Sequence, residues 1–341
     1  MYKVKPPRRM GAAHRPRCMR GQSVNEYVLL IAIIGLVVVF AGPQVSQAVH
    51  NQFGSVANTL ASGIHGGGLS GGGGSSGGGA GSNAPDKEQT EYLESMKSVT
   101  EKDAKDWTLN DQQLAAEDIA KRGTASVAFP KARAAMDAGT KFSTKLTNGQ
   151  TLEYKIIGIN HDDLANGNGK AGLTFLTTST TISSCMNETA TNVGGWEQSE
   201  LRQKMNSGEI WNLLPARFQS KVKSVKKLTN NVGGGYENKN AAITTTSDKL
   251  FLLSYSEIVP TSCWASDYPW TSSEGTQYEA FKGKVTNNKG ANDCLMIGTY
   301  WWERSVSLGS SAHFFNVDRN GDLTYGYNAK LSSRVCPAFC F

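Results

Sequence analysis

The chain has 341 residues, 39% hydrophobic and 9% aromatic, enough to build one large or two modest folded domains. Its net charge of +6 is local: residues 1–21 carry Lys3, Lys5, Arg8, Arg9, Arg15, Arg17 and Arg20 and no acid, so the other 28 Lys and Arg face all 29 Asp and Glu. A nearly neutral body has no basic stripe, which excludes a nucleic-acid partner.

The first element is "RCMRGQSVNEYVLLIAIIGLVVVFAGP", Arg17 to Pro43. Val28 to Ala41 is apolar apart from Gly35, but at 14 residues it is short of the roughly 20 that a simple membrane span needs. A secretory signal peptide accounts for the basic and apolar runs. It does not account for the polar patch between them, which holds Gly21 and Glu26. A carboxylate at the edge of hydrocarbon is costly unless paired. In the first turns of a helix the dipole favours it. Gly42-Pro43 marks a kink or break. Val45, Val49, Phe53, Val56 and Leu60 then recur at spacings of three and four, the mark of an amphipathic helix.

"GQSVNEYVLL" resembles the class III leader and helix start of type IV pilins, especially the small Flp pilins of tight-adherence systems. The resemblance covers about Arg20 to Leu60 in a fixed order: basic leader, Gly, four residues, Glu-Tyr, apolar run. It implies that a prepilin peptidase cuts after Gly21 and leaves Gln22 as the new N-terminus. Glu26 would then pair with the amine of a neighbouring pilin subunit. It also implies residence in the cell membrane, then in a pilus at the cell surface. On this reading 1–21 is a leader and 22–61 a pilin-like hydrophobic helix.

Residues 62–86, "SGIHGGGLSGGGGSSGGGAGSNAPD", form a Gly/Ser linker with a reach on the order of 25–30 Å. No strand-loop-helix context makes these glycines a phosphate cradle. Residues 87–133 read as a helical lead-in, in which "TLNDQQLAAEDIAKRG" begins at a cap and ends on Gly123.

Residues 134–341 read as a mixed α+β domain. "KFSTKLTNGQTLEYKIIGI" holds an Asn-Gly turn between alternating runs, a hairpin signal. "GLTFLTTSTTI" is strand-like; "WEQSELRQKMN" and "GEIWNLLPARFQSKVKSV" read as helices. "KLFLLSYSEI" is a buried strand running into a short turn or helix. "TYWWERS", "AHFFNVDRNGDLTYGY" and "RVCPAFCF" read as late strands with a turn at Asn320-Gly321.

"GGWEQSELRQKMN", "SDKLFLLSYSEI", "EGTQYEAF", "WWERS" and "RVCPAFCF" resemble, in the same order, the bacterial domain of unknown function 6273, over roughly 135–341. That family is similar to C-type-lectin-like and formylglycine-generating-enzyme-like folds. The resemblance implies an exported ligand-display domain and carries over no catalytic residue. Similar C-terminal lectin-like regions are diversified by retroelements in some bacteria. This puts the expected binding residues within 305–333: His313, Asn316, Asp318, Tyr325, Tyr327 and Asn328.

Other motifs carry bland readings beside functional ones. Trp264, Tyr268 and Trp270 in "CWASDYPWTSS" would suit stacking on a sugar or protein if exposed, and core packing is the competing reading. Trp196, Trp211, Trp301 and Trp302 read as core, and Glu303 and Arg304 as a structural ion pair or hydrogen bond. Asp318, Asn320 and Asp322 alternate like a calcium loop, but Leu323 and Ala329 stand where Gly and Glu are needed. Asp162 and Asp163 are a weak calcium candidate, and otherwise no cofactor is expected. A zinc site needs closely paired Cys or His, and the domain offers only His161 and His313.

After cleavage five cysteines remain as disulfide candidates: Cys185, Cys263, Cys294, Cys336 and Cys340. Cys336 and Cys340 are too far apart along a strand to bond each other. Four residues apart, they share a face and can both meet Cys263 or Cys294. The C-terminal cysteine pair resembles the copper-binding pair of the formylglycine-generating enzymes but departs from its spacing. The expectation is a non-enzymatic minor or tip pilin-like subunit whose domain binds a protein or glycan on a host or neighbouring cell. A membrane-tethered enzyme and a monomeric anchored binder are the alternatives.

Overall fold

The computed structural model describes residues 87–341 apart from 236–237, 261–263, 288–291 and 324. The leader, the pilin-like helix with Gly21, Gln22 and Glu26, the linker and Cys263 lie outside the described residues. Among the described residues no helix is long and apolar enough to cross a membrane.

The described chain is α+β. Four helices come first: α1 (Lys87–Ser95), α2 (Lys97–Thr100), α3 (Leu109–Arg122) and α4 (Phe129–Ala138). The α3 helix starts at a capping box, with the Thr108 side chain accepting from Asp111 N and the Asp111 carboxylate accepting from Thr108 N. It ends at Gly123, at a φ of 58°, a conformation glycine adopts without strain. Ala115, Ala116 and Ile119 of α3 are fully buried, so this helical segment joins the main core.

The strands form two five-stranded sheets. The first has the order β1 (Lys141–Lys145), β2 (Thr151–Ile159), β3 (Leu173–Thr177), β12 (Ala338–Cys340), β7 (Leu250–Phe251), with antiparallel neighbours throughout. The Asn148-Gly149 turn closes the β1–β2 hairpin, with Gly149 at a φ of 84°. Tyr154, Phe175, Phe218, Phe339 and Phe341 pack ring on ring against this sheet at centroid distances of 5.0–5.8 Å.

The second sheet has the order β10 (Tyr325–Asn328), β9 (His313–Val317), β8 (Trp301–Val306), β11 (Ser333–Arg334), β4 (Ser183–Ser184). A separate antiparallel pair joins β5 (Val225–Asn230) and β6 (Ile243–Asp248). Between the strands lie short helices: α5 (Gly195–Gln198), α6 (Glu200–Asn206), α7 (Glu209–Asn212), α8 (Ala216–Gln219) and α9 (Tyr255–Ile258).

"GEIWNLLPARFQSKVKSV" is less helical than its composition suggests. It makes two one-turn helices, α7 and α8, with Pro215 between them as the N-cap of α8, and Val225 already belongs to β5. "WEQSELRQKMN" forms α5 and α6. There Trp196 Nε1 donates to Asp248 Oδ2 at 2.9 Å and Arg202 Nε donates to Asp248 Oδ1 at 2.6 Å, anchoring both helices to the end of β6.

Candidate functional site

The polar groups of the domain sort into a buried cluster and an open cleft. The buried cluster lies where the two large sheets and the β5–β6 pair meet. Lys227 of β5 reaches Asp162 Oδ1 at 2.6 Å and Glu257 Oε1 at 2.5 Å. Arg304 of β8 grips Glu257 with both terminal nitrogens, at 2.6 and 3.0 Å. It also donates to the backbone carbonyls of Leu252, Leu228 and Glu274. Asp162 accepts from Thr174 Oγ1 at 2.6 Å and from Tyr278 Oη at 3.0 Å, and the Cys340 thiol lies 3.6 Å from its Oδ2.

Two cations offset two anions here. Burial opposes ionisation at Asp162, but Lys227, His161 and the hydrogen bonds outweigh it and hold the carboxyl at about 2. Burial opposes ionisation at Glu257 as well, and Arg304 and Lys227 again win and lower its pKa. Lys227, though fully buried, is raised by Asp162 and Glu257. The cluster is a closed ionic joint between sheets, each charge satisfied by another.

This corrects two expectations. Asp162 is committed to Lys227, Thr174 and Tyr278, whereas Asp163 is exposed and pairs with Lys170, so these carboxylates do not converge on a calcium site. Among the described residues no group of three His, Cys, Asp or Glu is placed to hold a metal. Arg304 does form a structural ion pair, but with Glu257 and not with the adjacent Glu303. The Glu303 carboxylate is fully buried and has no hydrogen-bond partner among the described residues. Burial, and then the neighbouring Glu274, push its pKa well above the ordinary carboxylate range.

The loop aromatics are also corrected. Tyr268 and Trp270 are buried, Trp270 Nε1 donates to Asn238 O at 3.0 Å, and Trp264 packs half-buried against the core. Tyr268 and Trp270 present no exposed stacking face. The four described cysteines are free thiols. Cys336 precedes β12, so the expected strand alternation with Cys340 is lost. Cys340 contacts Thr174 and Asp162, whereas Cys336 lines a small cavity with Lys155, Cys294 and Trp301.

The open cleft, of about 570 Å3, is lined by Ser183, Thr299, Tyr300, Tyr327 and Ser332 to Arg334. Its walls follow from strand pairing. Arg334 stands opposite Ser183 in the antiparallel β11–β4 pair and opposite Trp301 in the parallel β11–β8 pair. Tyr300 immediately precedes β8, and its backbone carbonyl accepts from Ser333 Oγ of β11 at 3.1 Å. Trp302 is fully buried, donates from Nε1 to Ser184 O at 2.9 Å and packs its ring 5.3 Å from that of Tyr327. One indole thus braces both the β10 wall and the β4 wall.

The groups left for a ligand are specific. Tyr300 is exposed, and Tyr327 is half-buried with its ring at the cleft. Among the described residues Arg334 is the sole formal charge of the lining, and it donates one hydrogen bond, from Nη1 to Ser183 Oγ at 2.5 Å. Its described lining offers aromatic faces, hydroxyls and a guanidinium.

Of the residues expected between 305 and 333, Tyr327 lies at this cleft. Asn316 is fully buried and donates to Ser333 Oγ, and Asp318 caps the hairpin turn through the backbone N–H groups of Asn320 and Asp322. Neither is free to bind. His313 and Asn328 are half-buried and paired across β9 and β10, and Asn328 Oδ1 accepts from Lys330 N. Tyr325 is the first residue of β10. Ser183, Thr299, Tyr300 and Arg334 complete the cleft from segments far apart in sequence.

Residues 171–341 match the family described as Domain of unknown function (DUF6273), a span that includes all five quoted motifs and begins later than the expected 135. No curated protein and no solved structure matches the chain.

Proposed function

We propose, on the premise that the chain belongs to the family of domain of unknown function 6273, that it is a minor or tip pilin-like surface subunit displaying a ligand-binding domain. The observation that carries the binding half is the cleft of Tyr300, Tyr327 and Arg334, which combines exposed aromatic surface with a guanidinium. The surface half rests on sequence: a basic leader ending at Gly21, Glu26 five residues on, an apolar run, and a Gly/Ser linker before the folded domain. In this reading the helix packs among other pilin subunits, the linker gives the lectin-like domain reach, and the cleft faces a host or neighbouring cell.

Two measurements test it. Mass spectrometry of filaments sheared from the surface of the native cells should find an N-terminal peptide beginning at Gln22. An intact leader, or protein confined to the membrane fraction, would sink the pilin half. Adhesion of cells carrying the double variant Tyr300→Ala/Tyr327→Ala should fall to that of cells lacking the protein. Undiminished adhesion at equal surface amount would remove the cleft from the binding role.

A further inference from the structure

The geometry points to a carboxylated sugar, a uronic or sialic acid residue of a surface glycan, as the ligand of this cleft. The inference rests on the binding role argued above and adds the chemical class.

Three observations carry it. The first is the state of Arg334. A guanidinium has five N–H donors, and this one spends a single bond on Ser183 and forms no ion pair among the described residues. Elsewhere in the domain Arg122, Arg133, Arg202 and Arg304 each hold a carboxylate within 3.2 Å, whereas Arg217 and Arg319, like Arg334, form no ion pair among the described residues. Arg334 lines a cleft that contains no acid, with a fork of donors shaped to take a carboxylate from outside. The Ser183 bond holds one arm of that fork, which lowers the cost of ordering it on binding.

The second is the aromatic surface. Tyr300 is 38% exposed, and Tyr327 is fixed on Trp302. A ring held in this way offers a flat apolar face to the C–H side of a pyranose, while its hydroxyl stays wet. The third is the set of idle hydroxyls. Thr299 and Ser332 line the cleft and make no side-chain hydrogen bond within the described protein, whereas Ser333 Oγ is engaged by Asn316 and by the Tyr300 carbonyl. Small unengaged hydroxyls beside an aromatic face suit a ligand that is itself rich in hydroxyls. A hydrophobic peptide anchor would want an apolar pocket instead. The cleft volume of about 570 Å3 falls within the range of small-ligand sites.

Calorimetric titration of the full chain in detergent with matched probes tests this. The probes are tri-galacturonic acid against its methyl ester, and sialyllactose against lactose. One acid should bind and its neutral counterpart should bind at least about tenfold more weakly, the loss expected when a charge-assisted pair is removed. Arg334→Gln should erase that preference at an unchanged melting temperature, Arg334→Lys should restore part of it, and added salt should weaken only the acid. Equal binding of acid and neutral probes, abolished by Tyr300→Ala, would overturn the carboxylate and keep the cleft as a glycan site. Binding of a peptide with a free C-terminal carboxylate, but of no sugar, would overturn the sugar and keep the cleft. Acid binding that survives Arg334→Gln and Tyr300→Ala would overturn both this inference and the cleft's role. No binding of any acidic probe would overturn the inference alone.

Discussion

Arg304 of β8 and Glu257 of α9 face each other in a two-pronged ion pair at 2.6 and 3.0 Å, with no solvent access to either side chain beyond 2%. The motifs "WWERS" and "LSYSEI" therefore meet in the core, and the pair stands between the β7–α9 segment and the second sheet. Removing one partner strands the other charge in a low-dielectric interior. Arg304→Met should cost about 3–5 kcal/mol of unfolding free energy. Urea denaturation of parent and variant measures it, and a loss below about 1 kcal/mol would show that the pair is not holding the sheets.

Glu303 lies next to Arg304 in sequence yet is a fully buried carboxyl without a hydrogen-bond partner among the described residues. Its folded-state pKa is raised, by burial first and then by Glu274. A raised carboxyl favours the folded state fully below its unfolded pKa of about 4.3, and that contribution is lost as pH rises towards the folded pKa. Glu303→Gln should therefore stabilise the domain at neutral pH and have little effect near pH 4. Melting temperatures across this range check the sign, and a variant less stable at neutral pH would contradict it.

Asp162 runs the other way. Its carboxyl is held at about 2, so its contribution is present above the unfolded value of about 3.9 and is lost as pH falls towards about 2. Asp162→Asn should lower stability at neutral pH and flatten the acid limb of the stability curve. An acid limb as steep as the parent's would place the acid sensitivity elsewhere.

Gly172 marks a close approach between the helical segment and the first sheet. A Cβ there would lie 1.8 Å from the backbone oxygen of Ala116 in α3, an atom that cannot swing aside. Gly172→Ala should push α3 off β3 and raise the hydrogen-exchange rate of the α3 amides more than those of β8. Uniform exchange in both elements would mean that the backbone absorbs the clash.

Trp270→Ala should cost about 3–5 kcal/mol, because a buried indole and its bond to Asn238 are lost together. Tyr300→Ala removes an exposed ring and should leave stability within about 0.5 kcal/mol. Ligand titration of the two variants at low temperature should separate their roles: binding is kept by folded Trp270→Ala and lost in Tyr300→Ala.

Local signals were legible where the chain's own chemistry decides the outcome. The Thr108 cap and Gly123 stop of α3, the Asn148-Gly149 hairpin, the Asn320-Gly321 turn and the strand-to-helix run of "KLFLLSYSEI" all form as their residues suggest. What stayed hidden depends on contacts distant in sequence. Lys227 reads as a surface lysine until Asp162 and Glu257, 65 and 30 residues away, close around it. The cleft joins Ser183 to Arg334 across 151 residues, through strands of two residues too short to announce themselves. Buried Trp270 and exposed Tyr300 differ by context that the aromatic itself does not encode.

The position of β12 sets an order on how the domain comes into being. Strand β12 lies between β3 and β7 in the first sheet, and it carries Phe339 and Cys340 into the aromatic and ionic interior. Synthesis reaches these residues after every other described strand. Until β12 arrives, the first sheet therefore holds an open slot between β3 and β7. A ribosome that stalls before Ala338 releases a chain with β3 and β7 unpaired and its inner carboxylates wet. Quality-control proteases would see such a chain as unfolded.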